Sequence, residues 1–367
     1  MDITPNTCPA GCPGCYLPKQ DYDITVENKY NRALLIFTKS CLIPSEFVLP
    51  GFESRTNYRR KVTMHTEFRN GKWHFGLMKN DEVLDIGNCA IQSNEVNRSV
   101  EVFKKYLPAT AAFPLKYYVH SGNQIALVLK TKVKQDFRWA NADFTKDIAE
   151  AGAEGLWIHY NASAGRRIYL KDKLDLLWGK PVSVDENGMH YGPLSFTQQI
   201  RGLAARTIDM ALQFFNENKI SDTIIDLYSG SGYGINAFVK AGYNCMGVEL
   251  SGEAVRMAEK NNPGVLVLRG KCHQRIPQIE DFLSDKNVKQ GKWNLYVNPP
   301  RTGLDNNLMK WICKSRPEKI AYLSCSPHTL ARDLSLLLKY NYKVTALIPL
   351  DFFPHTRHVE TLALISR

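Results

Sequence analysis

The chain has 367 residues, of which 44% are hydrophobic and 23% are charged. This composition supports packed domains, two or three by length, and excludes wholesale disorder. Lysine and arginine number 47 against 36 acidic residues, and a basic body favours a polyanionic partner such as nucleic acid. No apolar run approaches the roughly 18 residues of a membrane span, and the first residues lack a secretory pattern. We therefore expect a cytoplasmic protein without membrane contact.

Three of the nine cysteines stand close together near the N-terminus. They are Cys8, Cys12 and Cys15 in the stretch CPAGCPGC, and the other six are scattered. Disulfides are rare in a reducing compartment. Clustered cysteines there indicate metal or iron–sulfur ligands, whereas isolated cysteines are core residues or nucleophiles.

The first half of the chain predicts a helix followed by a mainly β region. Apolar spacing predicts the helix over 26–42, and alternating residues predict two strands joined by a turn at Asn70 and Gly71. In chain order, the predicted strands cover 57–68, 73–78, 116–120, 124–134, 155–161 and 166–172, with a polar helix over 93–106. Lys130, Lys132 and Lys134 would then share one face of a strand.

From about residue 197 the pattern changes to helices that alternate with short apolar runs. This alternation predicts a parallel, doubly wound α/β sheet, in which the last two strands form an antiparallel pair. The predicted strands cover 223–228, 245–250, 265–270, 293–298, 320–325, 344–350 and 359–365, and the first long helix covers 198–217. We expect three regions: a Cys-rich α/β region over 1–107, a β-rich domain over 108–190 and the Rossmann-like domain over 191–367.

A glycine-rich loop follows the first strand of the predicted sheet. The stretch IIDLYSGSGYG places Asp226, Gly230 and Gly232 between a strand and a helix, where glycines let backbone N–H groups approach a ligand. Glu249 ends the next strand and is placed to accept two ribose hydroxyls. The Asp and Gly-x-Gly order favours S-adenosylmethionine over a dinucleotide, because there is no pyrophosphate to bind.

A second loop, Asn298-Pro299-Pro300-Arg301, follows the fourth strand at a ligand-binding switch point of the predicted sheet. Amino-methyltransferases carry an aromatic residue after Asn-Pro-Pro. Arg301 occupies that position here, which argues against methylation of an exocyclic nitrogen.

Two residues at the same end of the sheet predict nucleophilic chemistry. Cys325 lies between a strand and a helix N-terminus, which stabilises a thiolate. Glu360 begins the last strand and could act as a general base. A cysteine and a base beside a methyl donor suit carbon 5 of uracil, because thiolate addition at carbon 6 activates that carbon. The alternative is a small core cysteine and an exposed acid.

Five stretches carry a resemblance to a known family. They are SFTQ (195–198), DLYSGSG (226–232), VNPPRTG (297–303), YLSCSPHTLARD (322–333) and FFPHTRHVETLAL (352–364). They resemble the RNA uracil-5-methyltransferases over nearly the whole chain, and most closely the branch that methylates 23S ribosomal RNA, carries an iron–sulfur cluster and lacks a TRAM domain. The resemblance implies a class I methyltransferase domain. Gln198, Tyr228, Glu249 and Asn298 would contact S-adenosylmethionine, with Cys325 as nucleophile and Glu360 as base.

The resemblance also implies a [4Fe–4S] cluster held by Cys8, Cys12, Cys15 and the distant Cys89 in DIGNCAIQ. The first cysteine gap is shorter than the family's usual gap. Its C-x3-C-x2-C spacing resembles that of radical S-adenosylmethionine enzymes, although the aromatic residue before their last cysteine is Gly14 here. A zinc site with the same four ligands is chemically possible.

The expected partner is RNA, with 23S ribosomal RNA as substrate, transfer RNA as the alternative, and a monomeric enzyme. Arg55 and the run Tyr58–Lys61 mix basic and aromatic residues, a combination suited to phosphate contacts and stacking. A non-catalytic RNA-binding protein on the same scaffold is a further alternative, but it would need neither Cys325 nor Glu360.

Overall fold

The computed structural model describes residues 8–16, 19–165, 168–170 and 173–367. The chain divides into two units, of which the first comprises Met1–Gln20 and Phe52–Gln199, and the second Asp21–Gly51 and Ile200–Arg367. This division differs from the three regions expected from the sequence. The segment 21–51 belongs to the C-terminal unit, and the boundary expected at 107/108 falls inside the first unit.

The helices predicted over 26–42, 93–106 and 198–217 are present, with ends displaced by up to four residues, and helices alternate with strands in the second unit as predicted. Several have a serine, asparagine or aspartate at the N-cap, whose side chain accepts a hydrogen bond from a free N–H group of the first turn. The helices are α1 (Tyr22–Thr38), α2 (Asn94–Tyr106), α3 (Ala142–Glu150), α4 (Arg201–Asn216), α5 (Tyr233–Lys240), α6 (Gly252–Asn261), α7 (Ile276–Asp285), α8 (Asn306–Ser315) and α9 (Pro327–Leu338).

The described strands lie close to the predicted runs in the second unit, whereas in the first unit some are shorter than predicted, some are longer and four were not predicted. They are β1 (Lys61–Arg69), β2 (Lys72–Lys79), β3 (Glu82–Asp85), β4 (Leu115–Ser121), β5 (Gln124–Leu129), β6 (Gly155–Tyr160), β7 (Asp175–Gly179), β8 (Ser183–Val184), β9 (His190–Tyr191), β10 (Thr223–Leu227), β11 (Asn244–Glu249), β12 (Leu266–Arg269), β13 (Asn294–Val297), β14 (Lys319–Ser324), β15 (Lys343–Leu350) and β16 (Glu360–Ser366).

The first unit is built on a sheet with the strand order β3-β2-β1-β4-β5-β6-β7. The predicted turn is confirmed, because Arg69 pairs with Lys72 and both Asn70 and Gly71 have the positive φ that a two-residue hairpin needs. Strands β5 and β6 are parallel, and α3, which the sequence analysis missed, lies between them in the chain. One continuous sheet therefore spans the boundary expected between residues 107 and 108.

The prediction that three alternating lysines share one face of a strand is wrong. Strand β5 ends at Leu129, because the Lys130 N–H turns to the Pro114 carbonyl at 2.8 Å and the Thr131 N–H returns to the Leu129 carbonyl. Lys130, Lys132 and Lys134 follow in irregular backbone. Of the strand expected over 166–172, residues 168–170 are not in a strand, and the other four positions lie outside the described residues.

The second unit contains the predicted doubly wound sheet, with the strand order β12-β11-β10-β13-β14-β16-β15. Five strands are parallel, and β16 inserts antiparallel between β14 and β15, so the expected terminal antiparallel pair is confirmed. The apolar face of α1, with Ala33, Ile36 and Phe37, packs into the same core as Ile225 and Leu295. This packing explains why residues 21–51 belong to this unit.

The carboxyl ends of the parallel strands meet at one edge of the second sheet. The Gly-rich loop follows β10, Glu249 ends β11, Asn298 follows β13 and Cys325 follows β14. Because β16 runs in the opposite direction, its first residue, Glu360, lies at this same edge. In the described part of the chain, no helix is both long and apolar enough to cross a membrane.

Candidate functional site

Glu249 is fixed by backbone groups on both sides of the strand end. Its carboxylate accepts a hydrogen bond from the Gly230 N–H at 3.0 Å and another from the Ser251 N–H at 2.7 Å. Each carboxylate oxygen can accept further bonds. No described atom lies within 4 Å of the position that a Cβ would take at Gly230, so one side of the loop is open. This open, amide-lined loop fits a nucleoside ligand whose ribose meets Glu249.

Two asparagines that the sequence analysis missed hold the Gly-rich loop. The Asn262 side-chain amide donates to the Gly232 carbonyl at 3.1 Å, and Asn261 donates to the Ser231 carbonyl at 3.0 Å. A Cβ at Gly232 would lie 2.4 Å from the Asn262 amide nitrogen, and the residue has φ +79°, so glycine is required there on both counts. The signal was the Asn-Asn pair at the end of α6.

Asp226 lies beneath the loop and is buried. Burial, and secondarily the charge of Glu249, raise the pKa of its carboxyl well above its ordinary value. The neutral form is thereby favoured. A neutral carboxyl can be buried at much lower cost than an ionised one, which suits a structural position behind the loop.

The Asn298–Arg301 loop is joined to strand β10 on one side and to helix α9 on the other. The Asn298 N–H donates to the Leu227 carbonyl at 3.3 Å, which links the ends of β13 and β10. On the other side, the Thr329 hydroxyl in the first turn of α9 donates to the Arg301 carbonyl at 3.2 Å. The loop and the helix that follows Cys325 are therefore held together.

Asp333 is a further positioning residue that the motif contained but the sequence analysis did not interpret. Its buried carboxylate accepts from the Leu304 N–H at 3.0 Å and from the Tyr322 hydroxyl at 2.8 Å. Arg332 pairs with Asp333 and donates to the Thr302 carbonyl at 3.1 Å. The Arg-Asp end of the motif thus ties the loop after β13 to β14 and α9, the two elements that flank Cys325.

The strand register brings Cys325 and Glu360 together. Ser324 pairs with Thr361 across β14 and β16. Cys325 follows Ser324 and Glu360 precedes Thr361, so the antiparallel register sets these two residues opposite each other. Cys325 is half-buried, whereas Glu360 is buried. The Glu360 carboxyl contributes to the raised pKa of both Cys325 and Tyr296, so its charge reaches both side chains.

The resting state of Cys325 differs from the sequence expectation. Cys325 does precede the first turn of α9, as predicted. Burial is the largest influence on its thiol and raises the pKa, the Glu360 carboxyl raises it further, and Arg301 opposes both. The net direction is upward, so the helix N-terminus does not make Cys325 a thiolate at neutral pH. The cation that favours the thiolate is Arg301.

Gln198 and the basic run lie in the first unit. Gln198 is in irregular backbone before α4, and not on the predicted helix. In the basic run, Tyr58 is 5% exposed, Lys61 donates to the Ser195 carbonyl at 2.7 Å and Arg60 lies 3.9 Å from Glu95. Tyr58 is therefore a core residue and is not available for the base stacking suggested by the sequence.

The four N-terminal-unit cysteines converge on one cavity. Cys8, Cys12, Cys15 and Cys89 line a cavity of about 130 Å³ together with Arg59. Asn97 of α2 fixes the Cys89 backbone from both sides, donating to its carbonyl at 3.1 Å and accepting from its N–H at 3.2 Å. At the neighbouring Cys12, the Gly14 N–H donates to the sulfur at 3.5 Å.

This donor set fits a sulfur-ligated cluster in kind. Four cysteines around one space, with an amide group at a sulfur and a nearby cation, are the features of iron–sulfur sites. Cys8 lines the same cavity as the other three, despite the short first gap. However, no set of three or more histidine, cysteine or acidic side chains stands in metal-binding geometry within the described ranges.

The profile of the family described as tRNA (Uracil-5-)-methyltransferase matches residues 52–367. The chain belongs to this family. The match covers both the strands that carry Cys325 and Glu360 and most of the first unit. It confirms the resemblance on which the interpretation of the motifs depends.

Relatives of this uracil-5-methyltransferase include enzymes named for ribosomal and for transfer RNA. The chain is 28% identical to an uncharacterized RNA methyltransferase of Clostridium tetani, over 97% of this chain and 81% of the relative. It is 25% identical to the 23S rRNA (uracil(1939)-C(5))-methyltransferase RlmD of Aliivibrio fischeri, over 97% and 80%. The tRNA (uracil-54, C5)-methyltransferase of Pyrococcus abyssi, solved with S-adenosyl-L-homocysteine, has the same fold, with a TM-score of 0.73 at 22% identity over 96% and 86%.

The charges around the Cys325 thiol predict its reactivity. Arg301→Met should raise the thiol pKa and move alkylation of Cys325 by iodoacetamide to higher pH. Glu360→Gln should lower the pKa and move alkylation to lower pH. Each unit of displacement changes the thiolate fraction about tenfold at a pH below the pKa. Mass spectrometry of the Cys325 peptide measures the rate against pH.

Lys310→Met removes an exposed cation from α8 and serves as the matched control, with an unchanged profile. If Arg301→Met left the profile of Cys325 unchanged, Arg301 would not be the cation that favours the thiolate.

Proposed function

We propose that the protein methylates carbon 5 of a specific uridine in RNA, with S-adenosylmethionine as methyl donor, Cys325 as nucleophile and Glu360 as base. The observation that carries this proposal is the strand register, which sets Cys325 and Glu360 beside each other at the edge that also holds the Gly-rich loop. Family membership supplies the reaction, and the geometry of the second unit supports the roles of the two residues.

The first step is the addition of the Cys325 thiolate to carbon 6 of the uracil ring. The thiol first loses its proton to water, and the thiolate then forms a C–S bond with carbon 6, so that the ring becomes an enolate that is nucleophilic at carbon 5. Arg301 favours this step, because its charge stabilises the thiolate against burial and against the Glu360 carboxyl.

The second step forms the new carbon–carbon bond. Carbon 5 attacks the methyl carbon of the sulfonium donor, the bond between that carbon and sulfur breaks, and S-adenosylhomocysteine leaves as a neutral thioether. In the third step Glu360 removes the proton from carbon 5, the electron pair restores the double bond and Cys325 leaves as the thiolate. Tyr228, Glu249 and Asn298 hold the donor in this scheme. Gln198, which the family resemblance implies, is the fourth proposed donor contact.

Glu360→Gln should stop the reaction after methyl transfer. Only the final elimination needs a base, so the variant should accumulate a covalent protein–RNA adduct that already carries the new methyl group. The adduct survives denaturation and is detected as a shifted band labelled from a radioactive donor. Cys325→Ala should lower turnover by more than about 10³-fold and form no adduct.

The Cys325→Ala, Glu360→Gln double variant is the control, because it removes the bond that the single variant stabilises. Cys313→Ala changes a buried cysteine of α8 and should retain turnover. Normal turnover by Glu360→Gln would show that the base is another residue.

We propose further that Cys8, Cys12, Cys15 and Cys89 hold a [4Fe–4S] cluster. The shared cavity and the all-sulfur donor set support it. When bound, such a cluster would cross-link the N-terminal cysteine loop to the segment before α2, and the methyl-transfer steps make no use of it. Cys89 is the ligand that joins the two segments, with its backbone fixed by Asn97.

Protein purified without oxygen should contain about four irons and four sulfides per chain. It should also show a broad absorption band at the violet-blue end of the visible spectrum. Cys89→Ser should lose the iron, because one of the four ligands is removed. Cys41→Ser changes an exposed cysteine away from the cavity and should keep the full iron content. Zinc as the bound metal under these conditions would contradict the cluster.

We propose 23S ribosomal RNA as the substrate, in a monomeric, cytoplasmic enzyme. The relative from Aliivibrio fischeri supports this choice, and the fold shared with the Pyrococcus abyssi enzyme makes transfer RNA the alternative. Both RNAs, isolated from a strain without the enzyme, should be offered with labelled donor. We expect label in 5-methyluridine of 23S RNA, and label confined to transfer RNA would overturn the choice.

A further inference from the structure

A buried ion pair joins the N-terminal helix of the second unit to the turn before Glu360. Lys29 of α1 lies 2.6 Å from Asp351, and their side chains are 2% and 0% exposed. Lys29 also donates to the Phe353 carbonyl at 2.9 Å, and the Tyr22 hydroxyl donates to the second Asp351 oxygen at 2.7 Å. We call Tyr22, Lys29, Asp351 and the Phe353 carbonyl the α1 clasp.

The α1 clasp lies next to the catalytic strand pair. Leu350 pairs with Glu360 across β15 and β16, and Asp351 is the residue that follows Leu350. On the opposite side of β16, Ser324 pairs with Thr361 and precedes Cys325. Glu360 is therefore flanked by Cys325 on one side and by Leu350 on the other, and Leu350 is the residue next to Asp351.

A chain of short-range hydrogen bonds connects the α1 clasp to the start of β16. The Phe353 N–H donates to Asp351 at 3.3 Å, and the Phe353 carbonyl, which Lys29 also contacts, accepts from the Thr356 hydroxyl at 2.9 Å. The same hydroxyl accepts from the His358 N–H at 3.2 Å. His358 is two residues before Glu360, so the backbone entering β16 is fixed back to α1.

Stability alone gives little reason for a charged pair at this place. Taking two charges out of water costs more than their attraction returns unless the geometry is excellent, and a well-packed apolar pair is often at least as stable. Burial lowers the pKa of Lys29, and the Asp351 carboxylate opposes that effect. Unlike an apolar pair, the ion pair fixes the orientation of the turn, because Lys29 and Asp351 both make further hydrogen bonds to the turn backbone.

We propose that the α1 clasp is a positioning device, in which Lys29 and Asp351 fix the turn so that the Glu360 carboxyl is aimed at the proton on carbon 5. This inference rests on the proposed role of Glu360 as the base. Neither Lys29 nor Asp351 touches the reacting atoms. The clasp acts on elimination, the one step that needs Glu360, and leaves addition and methyl transfer to Cys325, Arg301 and the donor.

The test separates positioning from stability by using a matched apolar pair. Lys29→Met alone leaves Asp351 buried without its counter-charge and should lower the thermal midpoint. The Lys29→Met, Asp351→Leu double variant replaces both charges by packed apolar groups and should recover the midpoint. Arg32→Met removes an exposed cation one turn further along α1 and is the control for both measurements.

Single-turnover reactions with labelled donor and unmethylated RNA then follow methylated covalent adduct and released product separately. In the double variant we expect methyl transfer near the wild-type rate and elimination slowed about 10- to 100-fold, since a misplacement near 1 Å costs up to about 10²-fold. The adduct should accumulate, as it does in Glu360→Gln. Arg32→Met should behave as wild type in every reading.

A double variant with restored midpoint and normal elimination would overturn the proposal and leave the clasp a structural pair. If the double variant does not fold, Asp351→Asn, which keeps the size of the side chain, gives the same comparison with the same two outcomes. Absence of adduct in Glu360→Gln would refute the proposed base itself, whereas adduct in Glu360→Gln with rapid elimination in the clasp variants refutes the positioning role alone.

Discussion

The antiparallel insertion of β16 between β14 and β15 is the constraint on which the site depends. The parallel strands alone bring the Gly-rich loop, Asn298 and Cys325 to one edge of the sheet, which suffices for a donor and a nucleophile. If the base were carried by a further parallel strand, it would lie in the loop after that strand and not in the hydrogen-bonded ladder itself. With one strand reversed, the first residue of β16 reaches the same edge, and its ladder with β14 sets Glu360 beside Cys325. Nucleophile and base thus come from one pair of hydrogen-bonded strands.

This proximity has an electrostatic consequence for the nucleophile. A carboxylate close enough to take a proton from bound uracil is also close enough to disfavour the Cys325 thiolate. Burial raises the pKa of the thiol in the same direction. Arg301 is the compensating charge, and its loop is held against α9 through Thr329 and Asp333. An arginine at the position where amino-methyltransferases carry an aromatic residue therefore suits a cysteine nucleophile.

The second sheet and its edge were predictable because each strand is a short, continuous apolar run followed by a loop rich in Gly, Asn or Pro. Local pattern also located Glu249, Asn298, Cys325 and Glu360. What the sequence could not give was long-range: that α1 packs into the C-terminal unit and pairs Lys29 with Asp351, residues 322 positions apart. The prediction that the lysines extend the strand is wrong for a local reason. Alternation after Leu129 resembles a strand, but the ladder ends where the Lys130 N–H bonds to the Pro114 carbonyl. The prediction that Tyr58 stacks on a base is wrong because basic neighbours in the sequence do not indicate which side chains are buried.

The division of the chain follows from the same long-range packing. The cysteine loop and α1 are adjacent in sequence, yet the loop belongs with the β-rich unit and α1 with the catalytic unit. A cluster at Cys8, Cys12, Cys15 and Cys89 would therefore fix the chain only a few residues before Tyr22, the first residue of α1 and a member of the clasp. The free energy that binds such a cluster is free energy of folding for the segment it closes. Such a cluster would stabilise the first unit, whereas the buried pair of Lys29 and Asp351 lies wholly within the second unit and acts there on the turn before Glu360.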